Sequence, residues 1–157
     1  MSGAVRILVV EDGHEYIDSF LGLLLGRPDH TIELRRVQDL ASTRHMLESG
    51  WPTALFVDVV FDRIPDETLT GDLPALITRF GGDRPRAVRH LAENQGFYIL
   101  DALAPSLPGE MPVVIAFDFT AEPARLEALR RRIPGLTGLP DGASLSEALR
   151  LLGVTKS

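Results

Sequence analysis

The sequence predicts one α/β domain: a doubly wound, five-stranded parallel sheet with helices on both faces and a helical insertion between the third strand and the third main helix. Three observations predict it. Short, almost wholly apolar runs recur along the 157 residues, as expected of strands buried on both faces. Amphipathic segments at helical spacing alternate with these runs, and such alternation implies parallel strands joined by right-handed crossovers. A single stretch, about residues 62–95, breaks the rhythm without forming a strand.

Val5 to Val10 is the first apolar run, and it ends at Glu11-Asp12. Ile17, Phe20, Leu21, Leu24 and Leu25 then recur at helical spacing until Gly26 and Pro28. Thr31 to Val37 alternates as a second strand. Asp39 caps a helix carrying Leu40, Met46 and Leu47, which stops at Gly50. Leu55 to Val60 reads as a third strand, apolar except for Asp58.

The insertion holds two helical segments. One carries Leu73, Leu76, Ile77 and Phe80, the other Val88 and Leu91, with Gly81-Gly82 between them. The regular pattern resumes with a helix bearing Phe97, Leu100 and Leu103. Pro112 introduces a fourth strand, Val113 to Phe117, and Thr120 caps a helix that runs through Arg132. Leu136 to Leu139 is the fifth strand, ended by Pro140. Ser144 and Glu147 match a capping box for a last helix containing Leu145, Ala148, Leu149 and Leu152. Glycine and proline are spread along the chain, so residues 1–157 read as a single domain.

Composition narrows the function classes. Apolar residues make up 45% of the chain, enough for one sizeable core. No apolar run is long enough to span a membrane, and Met1 to Val5 lacks the features of a secretory signal. A cytoplasmic protein is the simplest expectation. The absence of cysteine excludes disulfides and thiolate metal sites. With a net charge of −6 and no dominant basic cluster, nucleic-acid binding is not expected. Arg130 to Arg132 form the densest basic run and suit the C-terminal end of a helix. His14-Glu15-x-x-Asp18 lacks the second histidine of a zinc protease, and His30, His45 and His90 have no spaced partners, so all four histidines are expected at the surface.

In a sheet of this kind, ligands bind beyond the carboxyl ends of the strands. Strand one ends in Glu11 and Asp12, and strand three carries Asp58. If those strands are neighbours, three carboxylates meet at one edge. Crowded like charges raise one another's pKa unless a cation neutralises them, and Mg²⁺, which takes few carboxylates and keeps water, suits such a group. The plain alternative is that these acids only solvate the rim.

The segments that carry these acids resemble the receiver domain of bacterial response regulators. Arg6-Ile-Leu-Val-Val-Glu-Asp12 is similar to its first strand and acidic pair, and Ala54-Leu-Phe-Val-Asp58 to its third strand and phosphoacceptor. Gly96-Phe-Tyr-Ile-Leu-Asp-Ala-Leu103 resembles the start of its third helix, and Met111-Pro-Val-Val-Ile115 its fourth strand. Leu139-Pro140 stands where the family has Lys-Pro. The resemblance implies the flavodoxin-like receiver topology. It also implies that Asp58 accepts a phosphoryl group, and that Glu11 and Asp12, directly or through water, hold Mg²⁺ together with Asp58 and the backbone carbonyl of Val60.

Two positions depart from the family. Its phosphate-pairing lysine falls on Leu139, and the chain's only lysine is Lys156. Its switch Thr/Ser falls on Phe117 in an ungapped alignment, although a gapped one could use Thr120. Neither leucine nor phenylalanine can donate a hydrogen bond from its side chain. Pro140 follows as the family's proline, often cis there, or as a simple strand terminator. The insertion stands beside the acids, where it could form a lid, and Arg63 or Arg84 could replace the lysine; a lineage-specific decoration is the alternative.

The expectation is therefore a receiver-like domain in phosphorelay signal transduction, not an enzyme, with a degenerate phosphorylation switch. It would act on a protein partner, a sensor kinase or a downstream signalling protein. Through the face formed by the fourth main helix, the fifth strand and the last helix, the resemblance also suggests a homodimer. One alternative is a working phosphoacceptor that uses Asp58 and Mg²⁺ with altered switching; another is a small metal-dependent hydrolase on the same topology.

Overall fold

Val5–Val10 (β1), Ile32–Val37 (β2), Ala54–Val57 (β3), Val113–Ile115 (β4) and Leu136–Gly138 (β5) pair in parallel in the order β2-β1-β3-β4-β5. The computed structural model describes residues 3–27 and 31–155. Met1, Pro28, His30 and Lys156, all used in the sequence reading, lie outside the described residues.

The alternation of strand side chains divides the core into two layers. Ile7, Val9, Phe56 and Val114 face one way, and meet Phe20 of helix α1 (Glu15–Leu24) and Ala148 and Leu149 of helix α7 (Leu145–Leu151). Leu8, Val10, Leu55, Val57, Val113 and Ile115 face the other way. There they meet α2 (Leu40–Glu48), α5 (Gln95–Leu103) and α6 (Pro123–Arg132). All four residues of β3 are buried, as the apolar run requires of a central strand.

The polar residues at helix starts do what their chemistry predicts. The Asp39 carboxylate accepts the Ser42 N–H at 2.7 Å, and Ser144 Oγ accepts the Glu147 N–H at 3.3 Å. Gly50, at φ +74°, ends α2 in the left-handed region.

The insertion forms two short helices, α3 (Leu73–Arg79) and α4 (Arg84–Glu93), each opened by an aspartate cap, Asp72 and Asp83. Gly81 and Gly82, both at positive φ, make the turn between them. Leu76, Ala87 and Leu91 form a small core of their own, closed by Phe80 and by Tyr98 of α5. Gln95, fully buried, ties the preceding loop to this unit. Its Oε1 accepts the Thr70 N–H at 2.6 Å, and its Nε2 donates to the Thr70 and Leu91 carbonyls.

Several boundaries differ from the sequence reading: by one residue, β2 starts at Ile32 and β3 at Ala54, and Leu25, Phe80 and Leu152 fall just past the ends of α1, α3 and α7; four other shifts have local causes. β3 stops at Val57, not Val60, because the chain turns at Asp58, whose Oδ1 accepts the next N–H, that of Val59. β4 stops at Ile115, not Phe117: the Phe117 N–H folds back onto the Ile115 carbonyl at 2.8 Å. β5 stops at Gly138. α6 starts at Pro123, because Thr120 belongs to a turn in which its N–H bonds Asp118 Oδ1 at 2.8 Å. His90 is half-buried between the rings of Phe80 and Tyr98 and is no simple surface residue.

Candidate functional site

The register of the sheet sets the site. Val10 lies opposite both Val37 and Val57, Val57 opposite Ile115, and Ile115 opposite Gly138. The strands therefore end level, and the next residues form one rim: Glu11, Asp58, Ala116 and Leu139. The Asp58 N–H continues the ladder to the Val10 carbonyl at 2.9 Å, which fixes Asp58 beside the start of the Glu11-Asp12 loop.

Asp58 is half-buried, and its carboxyl is pushed up from 3.8 to about 6. Burial is the main cause, opposed by the Val59 N–H on Oδ1. The negative charges of Asp12, Glu11 and Glu15 raise it further. The Tyr16 phenol is raised too, first by burial and then by Asp58, Glu11 and Glu15. Its ring lies 4.7 Å from that of Phe56, under the same rim. Sequence reading did not single out Tyr16; its place in the first turn of α1, directly after the acidic loop, was the available signal.

The Glu11 carboxylate is engaged by the start of α1. It is fully buried, and its two oxygens accept the N–H groups of Tyr16 at 3.1 Å and Ile17 at 2.8 Å. Those are orphan donors at the start of α1, and a carboxylate there is favoured by the helix dipole as well. Among the described residues no three His, Asp or Glu side chains are arranged to hold a metal ion. Asp12 accepts the Arg63 N–H on Oδ2 at 2.7 Å. The second oxygens of Asp12 and Asp58 and the carbonyl of exposed Val60 carry no hydrogen bond among the described residues.

The insertion touches the rim through its first residues only. The Arg63 guanidinium crosses Gly13 and pairs with Glu15, which holds that carboxyl below its ordinary value. A side chain at position 13 would collide with this arm, as a Cβ there would lie 2.2 Å from Arg63 Nη1. Neither Arg63 nor Arg84 bonds Asp58: Arg63 pairs with Glu15, and Arg84 opens α4.

Leu139 and Phe117 stand at the other half of the rim, joined through the backbone. The Leu139 N–H donates to the carbonyls of Ile115 and Phe117, both at 3.1 Å. Leu139 packs with the α1 and α7 layer, while Phe117 packs with the opposite one. The Phe117 ring stands 5.1 Å from Phe97 and 4.8 Å from Phe119, and the Arg125 guanidinium lies 3.9 Å from the Phe97 centroid and 5.3 Å from that of Phe117. Thr120 is drawn into the Asp118 turn, and Asp118 Oδ2 also accepts the Asp141 N–H at 2.9 Å. That bond links the loops after β4 and β5. The Leu139–Pro140 peptide is trans.

Behind Asp58, the start of α5 is pressed against the chain. The Gly96 N–H bonds the Val59 carbonyl at 3.0 Å, and a Cβ on Gly96 would come within 2.1 Å of the Asp58 carbonyl oxygen. Only glycine permits this approach. A cavity of about 500 Å³ lies elsewhere, between α6 and β5, and includes Asp118 and Thr137 but not Asp58. No helix is long and apolar enough to cross a membrane among the described residues.

No protein-family profile matches the chain, and no curated protein matches it in sequence. Solved structures do. A protein assigned as a response regulator from Chloroflexus aurantiacus superposes with a TM-score of 0.53 at 13% identity, over 96% of this chain and 99% of that one. The signal receiver domain of a signal transduction histidine kinase from Syntrophus aciditrophicus gives 0.52 at 15% identity, over 98% of this chain and 95% of that one. Strand order, the helices on both faces and these superpositions together give the chain the receiver-domain fold.

Proposed function

We propose that this chain is a receiver-like signalling domain that acts by contact with a protein partner, not as an enzyme, and that its phosphorylation switch is degenerate. The observation that carries this reading is the composition of the rim. Asp58 sits level with Ala116 and Leu139, with Phe117 next along the chain, so the positions that would answer a phosphoryl group offer neither a cation nor a hydroxyl. A phosphoryl group gains its hold on a fold from charge-assisted bonds to such groups. Without them, the loops after β4 and β5 have nothing to follow, and the Asp118–Asp141 bond already joins them.

The partner would be a sensor kinase or a downstream signalling protein, and α6, β5 and α7 would supply the surface for a homodimer. Intact-mass measurement after incubation with Mg²⁺ and acetyl phosphate tests the reading, with beryllofluoride as a second probe. No adduct is expected on the folded protein. An adduct that disappears in Asp58→Asn would overturn the degenerate version.

One observation favours the second reading, a working phosphoacceptor. Asp58 is raised to about 6 by burial and three acidic neighbours, a strain that a bound cation relieves. In that reading Asp12, Asp58 and the Val60 carbonyl would hold Mg²⁺ with water completing its shell, and Glu11 would act only through water. The ion would neutralise charge on the incoming phosphoryl group. The residues of this chain would hold the donor beside Asp58, with Tyr16 walling the site.

A further inference from the structure

The insertion carries a close-set group of arginines that the fold leaves without carboxylate partners among the described residues. Arg79, Arg84, Arg86 and Arg89 are all exposed, and none forms an ion pair among the described residues. Of the exposed arginines elsewhere, Arg63 pairs with Glu15, Arg131 with Glu127, Arg132 with Asp101 and Arg150 with Glu147, while Arg35, stacked on Trp51, Arg44, and Arg130, bonded to the Leu136 carbonyl, lie on three different elements, β2, α2 and α6. Of the acids within the two insertion helices and the turn between them, Asp83 is committed to capping α4, which leaves Glu93.

Two of the four are pre-positioned by the same ring. The guanidinium carbons of Arg86 and Arg79 lie 4.7 Å and 5.7 Å from the Phe80 centroid. Phe80 is itself held by the small Leu76–Ala87–Leu91 core and lies 5.6 Å from the His90 ring. A guanidinium stacked on a ring keeps its in-plane N–H fork free for a carboxylate, with less side-chain freedom left to lose. Phe80, Arg86, Arg89, His90 and Glu93 line a shallow cleft of about 250 Å³ between these groups.

We propose that this face of the insertion docks an acidic segment of a protein partner, with carboxylates forked by Arg86 and Arg89 and steered by Arg79 and Arg84. The overall charge of −6 argues against a nucleic-acid backbone as the occupant, because the rest of the molecule repels a polyanion that extends past the patch. A short acidic peptide segment ends within it. The surface contains no member of the Asp58 rim, so it serves a partner whether or not Asp58 is phosphorylated.

The test uses the whole chain, ¹⁵N-labelled, titrated with a hexaglutamate peptide and, in parallel, with a single-stranded oligothymidylate of equal charge. Shift changes are expected on Arg79–Glu93 with the peptide. Arg86→Glu combined with Arg89→Glu is expected to weaken peptide binding at least about tenfold. The equal charge change Arg131→Glu with Arg132→Glu is expected to leave it nearly unaltered. Thermal melts of both variants establish that they fold. Absence of shifts on α3 and α4, equal loss in the two charge-reversed variants, or tighter binding of the oligonucleotide would each overturn the proposal.

Discussion

The backbone N–H of Leu139 donates to the carbonyl of Phe117 at 3.1 Å, so the two positions that would form a phosphorylation switch are clasped to each other. Each is also anchored in a different core layer, Leu139 beneath the sheet with α1 and α7, Phe117 above it with Phe97 and Phe119. The combined variant Phe117→Thr with Leu139→Lys should place a hydroxyl and an ammonium at the rim. It is expected to take up more phosphoryl on Asp58 than the native chain does. Loss of the Phe117 ring from its aromatic cluster should lower stability by about 2–3 kcal/mol. Intact mass with acetyl phosphate and urea unfolding check the two halves. A variant that folds but takes up no more phosphoryl than the native chain would place the defect elsewhere than in these residues.

Asp58 makes stability depend on pH with a definite sign. Its carboxyl is raised in the folded state to about 6 from 3.8. Between those values the folded chain binds more protons than the unfolded one, so its stability falls as pH rises through that window and levels off above it. The full effect is about 2 kcal/mol, allowing for the partial exposure of the group to solvent. Asp58→Asn removes the charge, and its stability advantage over the native chain should grow between about pH 4 and pH 7. Urea midpoints that run parallel across that range would contradict the shift.

The strands were legible because central parallel strands must be apolar on both faces, and Ile7–Val10, Ala54–Val57 and Val113–Ile115 are. Their ends were not. Val59, Val60 and Phe117 extend the apolar runs, yet local bonds turn the chain first: the Asp58 carboxylate takes the Val59 N–H, and the Ile115 carbonyl takes that of Phe117. The acidic rim was legible for a similar reason, since strand register alone brings Glu11 and Asp58 together. What each acid does there was not. A glutamate after a strand looks the same in sequence whether it faces a cation or the first N–H groups of a helix. Gln95 gave no signal, because its three partners lie on Thr70 and Leu91, chosen by the path of the insertion.

Glu11 therefore belongs to the stability of α1. Glu11→Ala would bury the Tyr16 and Ile17 N–H groups without an acceptor, at about 2–3 kcal/mol. Glu11→Gln keeps one oxygen and should lose about half of that. Chemical unfolding measures both. If the two variants were equally stable and matched the native chain, the carboxylate would not be capping the helix in solution.

Gln95 holds the loop before α3 to the base of α5, and its amide is the only side chain bonding the Thr70 backbone among the described residues. Gln95→Leu retains the volume but leaves the Thr70 N–H and carbonyl without these partners. Hydrogen exchange should then speed up about tenfold or more in residues 62–72, corresponding to local opening made easier by about 1.4 kcal/mol or more. β1, β3 and β4 should exchange as before, because the main core does not include Gln95. Exchange that rises equally in the sheet would mean that the insertion and the sheet unfold as one unit. In that case the insertion would be part of what holds Asp58 in place, through the Phe61 N–H bond to Ala92 and the packing of Gly96 on Asp58.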